Sequence, residues 1–535
     1  MDSLFIFPLS FWVVIALLTS GAVWAGAHVR EGIGFPMLAV LGTVAAWYVG
    51  DALYNDYGND IAKTFTAGVL LAAWWEVAWF IVAFCLMAPF LHRNINGGQS
   101  NQSSQILTML RIGTGQAQFQ FQLNQMFWGC ASVWLILVGL AAIKLGAQIP
   151  YYFFPFLGYK VDPWGRGQIG GGIDALLSLA GYFQMFIASV FGVVAALAQD
   201  RRVRNLALAA CLLAWPYYFF DRVRNNMLAV LVPAILAWVF LRLRGGLLKK
   251  IAILGAFFIL VSLWFDFVIA NRSNTTIAAA VHGDGINITE AAQQAHHEGL
   301  NMFEELCWIN TFMENGTYNP NWGARYFEEL ANPVPRALWP GKPMIGLDYA
   351  EARGQAYQDD GTVTATISTG MIGQGVVNFG RIFGPAFAAF LMGLWAAMLA
   401  NLDLNGEKIG RIPLYALGLI LTFNLGRDIT FITLYTFAFG SMVVWWLGRR
   451  ASPQPTTNAG EESVYQNRPT KLQRRRAARK NRRVGPESDH EQSLQEAAPY
   501  SVTAQGSGER KAKSEEGQGG VGGGTEDGSQ RSEDN

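Results

Sequence analysis

The chain alternates long apolar stretches with short polar breaks. In order, the stretches run over roughly 8–28, 34–54, 66–91, 127–147, 171–199, 203–220, 226–243, 251–271, 376–400, 412–426 and 429–448. A hydrocarbon core about 30 Å thick is crossed by about 20 apolar residues in a helix, so the pattern predicts about 11 membrane-spanning helices. The tenth and eleventh come from one apolar run that Arg427 and Asp428 interrupt. Backbone that crosses lipid must satisfy its own hydrogen bonds, which a helix does within one segment. The expected fold class is therefore an all-α polytopic integral membrane protein. The same pattern divides the chain into spanning helices over 1–271, one large extracytoplasmic loop over 272–375, three more spanning helices over 376–450, and a polar tail over 451–535.

The breaks carry further structure. Residues 94–125 read as a polar inner loop with an interfacial helix over 106–121. The 148–170 connection is rich in aromatic residues, among them Tyr151, Tyr152, Phe153, Phe154, Tyr159 and Trp164. Such a cluster reads either as an aromatic belt at the interface or as a wall on which sugars stack. In the long loop, 291–315 has helical periodicity with Phe303, Leu306 and Ile309 on one stripe. A second short helix is predicted over 321–330. Residues 368–384 hold five glycines where the chain returns to the membrane, a composition that permits close backbone approach or re-entry.

Composition agrees with this reading: 51% of residues are apolar and 15% charged, against roughly 25% charged in soluble domains. The placement of charge sets the sidedness. Positive residues collect in short cytoplasmic loops, and Arg201, Arg202 and Arg204, then Arg242, Arg244, Lys249 and Lys250, then Lys408 and Arg411, then Arg449 and Arg450 mark four of them. Asp51, Asp56 and Asp60 mark the 55–65 turn as outside. Alternation then predicts the amino terminus outside, the tail inside, and 148–170, 221–225, 272–370 and 427–428 on the outer face. The start of the chain lacks a basic region and a small-residue cleavage site, so 8–28 reads as an uncleaved first span. Cys85, Cys130, Cys211 and Cys307 show no CxxC spacing, and no intrachain disulfide is expected.

The tail cannot bury enough apolar surface to fold alone and is expected to be disordered. Its basic run over 471–483 reads as resting on anionic headgroups of the inner leaflet rather than on nucleic acid.

Candidate chemistry gathers on the outer face. Arg222 and Arg224 lie in the turn between two mid-chain helices. Arg272 follows the eighth span, Arg336 and Lys342 lie in a proline-rich strip, Arg381 follows Asn378-Phe-Gly380, and Arg427 sits beside Asp428 at the last outer turn. Proline fixes φ, so the strip Asn332-Pro-Val-Pro-Arg-Ala-Leu-Trp-Pro-Gly-Lys-Pro343 holds its cations in place. Guanidinium groups bind phosphate oxygens through parallel hydrogen bonds. Arg222, Arg224, Arg272, Arg336, Lys342 and Arg427 are thus the candidate pyrophosphate ligands, and Arg222, Arg336 and Arg427 are expected to line one cavity. Candidate general bases are Asp428, Glu329 and Glu305. Asp359-Asp360 reads as solvated surface before it reads as a metal site. His282, His296 and His297 lie in polar stretches. No Walker loop, HExxH, GxSxG or zinc spacing is present.

Three of these stretches resemble the bacterial oligosaccharide repeat-unit polymerases, the Wzy-type O-antigen and exopolysaccharide polymerase family. Asn321-Trp-Gly-Ala-Arg-Tyr-Phe-Glu-Glu-Leu330 leading into Pro333-Val-Pro-Arg-Ala-Leu-Trp-Pro-Gly-Lys-Pro343 is similar to the family's Gly-x-x-Tyr helix and Pro-Arg-x-x-Trp-Pro-x-Lys-Pro strip. Ser368-Thr-Gly-Met-Ile-Gly-Gln-Gly-Val-Val-Asn-Phe-Gly380 is similar to its Gly-Glu-x-x-x-Asn-Phe-Gly segment. Asp221-Arg-Val-Arg-Asn225 is similar to its Arg-bearing outer turn. One departure stands out: Gln374 occupies a position where an acidic residue is common in the family.

The resemblance implies a fold like that of the multi-helix, GT-C-like lipid-dependent glycosyltransferases. It also implies an activity: transfer of a growing glycan from undecaprenyl pyrophosphate onto a sugar hydroxyl of another lipid-linked repeat unit, building an O-antigen, capsule or exopolysaccharide. The expected location is the bacterial inner membrane. The expected partners are the undecaprenyl-pyrophosphate-linked oligosaccharide, membrane lipid, and the chain-length regulator and flippase proteins, with no nucleic acid. No cofactor or metal is required by that scheme. A glycan ligase shares donor and topology and differs in its acceptor. A secondary transporter would place ionisable residues at the midplane within inverted repeats, and the sequence shows neither. A chain ending at Arg450 should insert and still polymerise, as read by membrane fractionation and surface glycan analysis. Normal insertion without polymer would give the tail a role in the reaction.

Overall fold

The computed structural model describes residues 7–54, 57–95, 117–157, 161–164, 174–220, 224–243, 245–270, 301–332, 334, 338–354, 367–402 and 411–450. Most of the predicted 106–121 helix, Arg272, His282, His296, His297, Asp359, Asp360 and the whole tail lie outside them. The described residues fall within one compact unit, Met1–Pro453.

Every regular element among the described residues is a helix, with no strand among them. A helix stands at every predicted apolar stretch, including Leu9–Ala27, Ala67–Ile95, Ala117–Leu145, Arg411–Arg427 and Phe431–Arg450. Among the described residues, 6 helices are long and apolar enough to cross a membrane: Leu9–Ala27, Gly34–Leu53, Ala67–Ile95, Phe119–Phe153, Leu179–Leu197 and Gly370–Ala400. The protein is thus a multi-pass helical membrane protein. The helix predicted from 127 begins at Ala117 instead. Its added turns carry Gln120, whose amide donates to Leu197 O at 3.3 Å and accepts from Gln199 N at 3.0 Å. A polar residue that caps a neighbouring helix is invisible to a hydropathy pattern.

The helix Gly370–Ala400 is two arms joined at Gly380, whose φ of 75° and ψ of 179° are open to glycine and not to residues with a Cβ. In a straight helix Gly375 and Gly384 would stand about 13 Å apart along the axis. Here they touch, and a methyl group on either would overlap the other's backbone. The chain therefore doubles back at Gly380 into a helical hairpin whose first arm, from Gly370 to Asn378, is buried. This is the close backbone approach that the five glycines allow.

A helix from the predicted loop, Met302–Glu314, is built into the same bundle. Phe303, Leu306, Cys307 and Ile309 are completely buried, against the helix Ala67–Ile95 and the hairpin. Charged groups from three elements hold it along its length. At its start, buried Asp51 accepts from Phe303 N at 2.7 Å and Glu304 N at 3.0 Å. Midway, buried Glu76 accepts from Asn310 Nδ2 at 2.8 Å. Towards its end, Arg381 Nη2 donates to Asn310 O at 3.2 Å and pairs with Glu314 Oε1 at 3.0 Å, while its Nε lies 3.7 Å from Glu76 Oε1. An acid at the amino end and a cation towards the carboxyl end both complement the helix dipole. Asp51, read from sequence as a marker of the 55–65 turn, thus fastens the loop to the end of the second span. All four cysteines are free thiols.

Alanine at Gly384 drives a methyl into the Gly375 backbone, an overpacking worth about 1–3 kcal/mol. A lower unfolding midpoint in detergent is expected. Alanine at Gly139, which faces open space, should leave the midpoint unchanged, and equal midpoints for both variants would contradict the hairpin contact.

Candidate functional site

The second loop helix, Ala324–Ala331, begins after two backbone positions in the left-handed region, Trp322 at φ 54° and Gly323 at φ 93°. Asn321 N donates to Val377 O at 3.0 Å, and Tyr326 N donates to the Asn378 side chain at 3.4 Å. Asn378 itself donates to Gln374 O at 2.7 Å. Phe379 stacks over Gly323 and meets Phe387 at 4.7 Å between ring centroids. The Asn-Phe-Gly motif thus divides its labour. Asn378 holds the loop helix, Phe379 packs against its start, and Gly380 turns the chain.

This seating points the polar residues of the helix inward. Arg325 and Glu329 are each 2% exposed. Arg325 Nη2 donates to Ile367 O at 3.0 Å and lies 3.8 Å from Asp428 Oδ1. Its Nε and Nη1 have no hydrogen-bond partner, and neither does Glu329 Oε2. Glu329 accepts from the Phe431 backbone amide, at the start of the last helix. Asp428 Oδ1 also accepts from Thr369 N and Thr369 Oγ1, both at 3.3 Å. Gly346, at φ 66°, closes over the guanidinium so tightly that an added Cβ would sit 3.0 Å from Nη2. Glu328 accepts from Gly346 N at 3.2 Å.

Electrostatics follow from this burial. A guanidinium keeps its charge in any protein environment, so it draws carboxylates to itself. Burial pushes the Glu329 carboxyl up to about 8, and the like charge of Asp428 adds to that, against the opposing pull of Arg325. Burial also raises Glu328 above the usual carboxylate range. At neutral pH Glu329 is thus largely a neutral acid that can donate a proton. Arg325 meanwhile keeps two nitrogens, Nε and Nη1, without hydrogen-bond partners. A buried unpaired donor costs free energy in the resting protein, and buried polar groups left unpaired call for an explanation.

Gln374 holds the turn from which Asp428 projects. Its Oε1 accepts from Ile429 N at 2.8 Å and its Nε2 donates to Ile429 O at 3.3 Å. A carboxylate has no hydrogen to give that carbonyl, so this chain uses an amide at the position where the resembling family commonly has an acid.

Of the residues singled out from sequence, Asp428 and Glu329 come together around Arg325. Glu305 belongs to a neighbouring group: it accepts from Tyr349 Oη at 2.5 Å and from Arg353 Nη2 at 3.1 Å. Arg353 stacks 4.4 Å above the Trp308 ring. Asp348 joins that side through Tyr318 Oη at 2.5 Å and Asn321 Nδ2 at 3.2 Å. Arg427 is exposed and its Nε donates to Ser368 Oγ at 2.9 Å. Lys342 donates to Asn332 O at 2.8 Å and Val334 O at 2.9 Å, bending the proline strip onto itself. Arg222, Arg272, Arg336 and the side chain of Arg224 lie outside the described residues, so the expected convergence of Arg222, Arg336 and Arg427 does too. Arg325 stands in the quoted motif, yet nothing in the sequence reading singles it out. Its signal is the spacing: Arg325 and Glu329 share a helix face, with Phe327 on the opposite one.

The aromatic connection has a structural part to play. Tyr152 and Trp164 are buried. Trp164 Nε1 donates to Gln184 Oε1 at 2.6 Å, Gln184 donates to Tyr152 Oη, and Tyr217 Oη donates to Asp162 Oδ1 at 2.6 Å. These rings tie the helices Ala117–Leu145, Asp174–Leu197 and Arg201–Phe219 together, and a buried ring offers no sugar a stacking face.

Comparison with family models, with curated proteins and with solved structures finds no match.

The Glu329 shift carries a pH signature. Between the ordinary value of 4.5 and about 8 the folded state holds a proton that the unfolded chain has released. Stability therefore falls as pH rises through that window. Glutamine at position 329 should flatten this part of the thermal-stability profile in detergent, and an unchanged slope would mean that Glu329 is ionised in the fold.

Proposed function

We propose that this protein polymerises undecaprenyl-pyrophosphate-linked oligosaccharide repeat units into a surface polysaccharide. Glycosyl transfer occurs at the membrane face that carries the 301–354 segment. The observation that carries the reading is the buried Arg325 guanidinium, with Nε and Nη1 unpartnered and two carboxyl groups beside it. It is assembled from two stretches, Asn321–Leu330 and Ser368–Gly380, that support the resemblance to repeat-unit polymerases. Eleven spans, an external amino terminus, a cytoplasmic tail and a bacterial inner-membrane location belong to the same proposal.

The chemistry requires charge to be stabilised on a leaving pyrophosphate and a proton to be taken from an acceptor hydroxyl. Arg325 serves the first need: its Nε and Nη1 donors are without partners and able to meet phosphate oxygens, and a preorganised cation in a low-dielectric site is effective because it does not reorganise as charge develops. Asp428 and Glu329 serve the second, one accepting and one holding a proton. Two lipid-anchored reactants held at one face react with little of the entropic barrier of free encounter.

Purified protein with a lipid-linked repeat unit tests this. Arg325→Lys keeps the charge but loses the planar, five-donor guanidinium, and a fall of about 10²-fold in polymerisation is expected, with single units accumulating. Wild-type chain lengths in that variant would overturn the assignment. Should Arg325→Lys fail to fold, Glu329→Gln, nearly isosteric, reads the same site. Formation of a glycan on a different acceptor, without polymer, would point to a ligase.

A further inference from the structure

The helix Ala324–Ala331 is amphipathic in the inverted sense. Its polar residues Arg325 and Glu329 face the protein, while Phe327 is 56% exposed and Leu330 58% exposed. Just before it, Trp322 is 80% exposed and holds a φ of 54°, a backbone conformation unfavourable for a bulky residue. Leu338 adds a further exposed apolar side chain. In water such an array is a liability, because contiguous exposed apolar surface marks an interaction site or an aggregating one.

The helix packs through aromatic rings on a helix long and apolar enough to cross a membrane. Tyr326 meets Phe387 at 5.3 Å between ring centroids, and Phe387 meets Phe390 at 6.2 Å. Phe387 and Phe390 lie on the second hairpin arm, whose beginning exposes Ile382 and Phe383. The aromatic rings thus run unbroken from a membrane span onto the loop helix. A short helix with its apolar face at the headgroup boundary, flanked by Trp, is the pattern of an interfacial segment.

We propose that the helix Ala324–Ala331, with Trp322 and Leu338, is seated in the bilayer leaflet on the loop side, lipid being the partner of its apolar face. The seating explains why the polar residues turn inward. With lipid on one side, Arg325 and Glu329 have only the protein interior to face. The inference rests on the membrane-protein reading and not on the reaction, so it stands or falls independently of polymerase activity.

Full-length protein in nanodiscs of phosphatidylethanolamine and phosphatidylglycerol tests it. The native cysteines are replaced, and a nitroxide is attached at Phe327→Cys. Collision with oxygen, which concentrates in lipid, should exceed collision with a water-soluble nickel chelate several-fold. A label that meets the chelate more often than oxygen faces water and overturns the proposal. A label shielded from both is covered by protein, and overturns it as well. Leu330→Cys, one turn further along the same face, gives the same readout should the first variant fail to fold.

Discussion

Asp428 is the contact on which the loop side of this protein depends. A charge held away from water is tolerated only when it is paired and hydrogen-bonded. Asp428 meets both conditions with groups from separate elements: Thr369 at the start of the hairpin and Arg325 on a loop helix. Its own position is fixed because Gln374 clamps the backbone of Ile429. Three elements distant in sequence are tied through one carboxylate. Removing it would leave a buried guanidinium without its neighbouring carboxylate, which costs more than the pair itself contributes.

A second set of polar contacts, made by two buried carboxyl groups and a half-buried arginine, does the same for the first loop helix. Asp51, Glu76 and Arg381 come from a span end, a span interior and the hairpin, and each bonds to Met302–Glu314. The segment that reads in the sequence as an external domain is, in this part, an inserted piece of the bundle. The hairpin makes this geometrically feasible. By folding at Gly380 it presents its first arm to the loop helices and its second to the neighbouring span. The site is thus a product of the fold's central turn and not an addition to its surface.

The spans are legible in the sequence because a run of about 20 apolar residues has one physical use. The glycines of 368–384 are legible as close approach because nothing else lets two backbones touch. Periodicity places Phe303, Leu306 and Ile309 on one face correctly, since helical spacing does not depend on what the face meets. Asp428 and Glu329 stand out by their side of the membrane. Arg325 does not, because an Arg beside acids in a polar stretch looks like a solvated face. Only the three-dimensional seating shows it to be buried. Glu76 and Asp51 are hidden for the opposite reason: each sits in or beside a span, and its partner lies hundreds of residues away. Lys342 also donates to the backbone of its own strip, which its sequence position alone does not show.

The loop helices are part of the helical bundle, fastened by bonds to buried carboxylates, and Arg325 with its two carboxyl groups is the chemical consequence. Hydrogen exchange read by mass spectrometry on the protein in nanodiscs addresses that claim most directly. The amides of 302–314 and 367–378 should exchange as slowly as those of the spanning helix Ala67–Ile95, because their opening breaks hydrogen bonds to the carboxylates of Asp51, Glu76 and Asp428. Exchange at the rate of an exposed loop in either segment would contradict it.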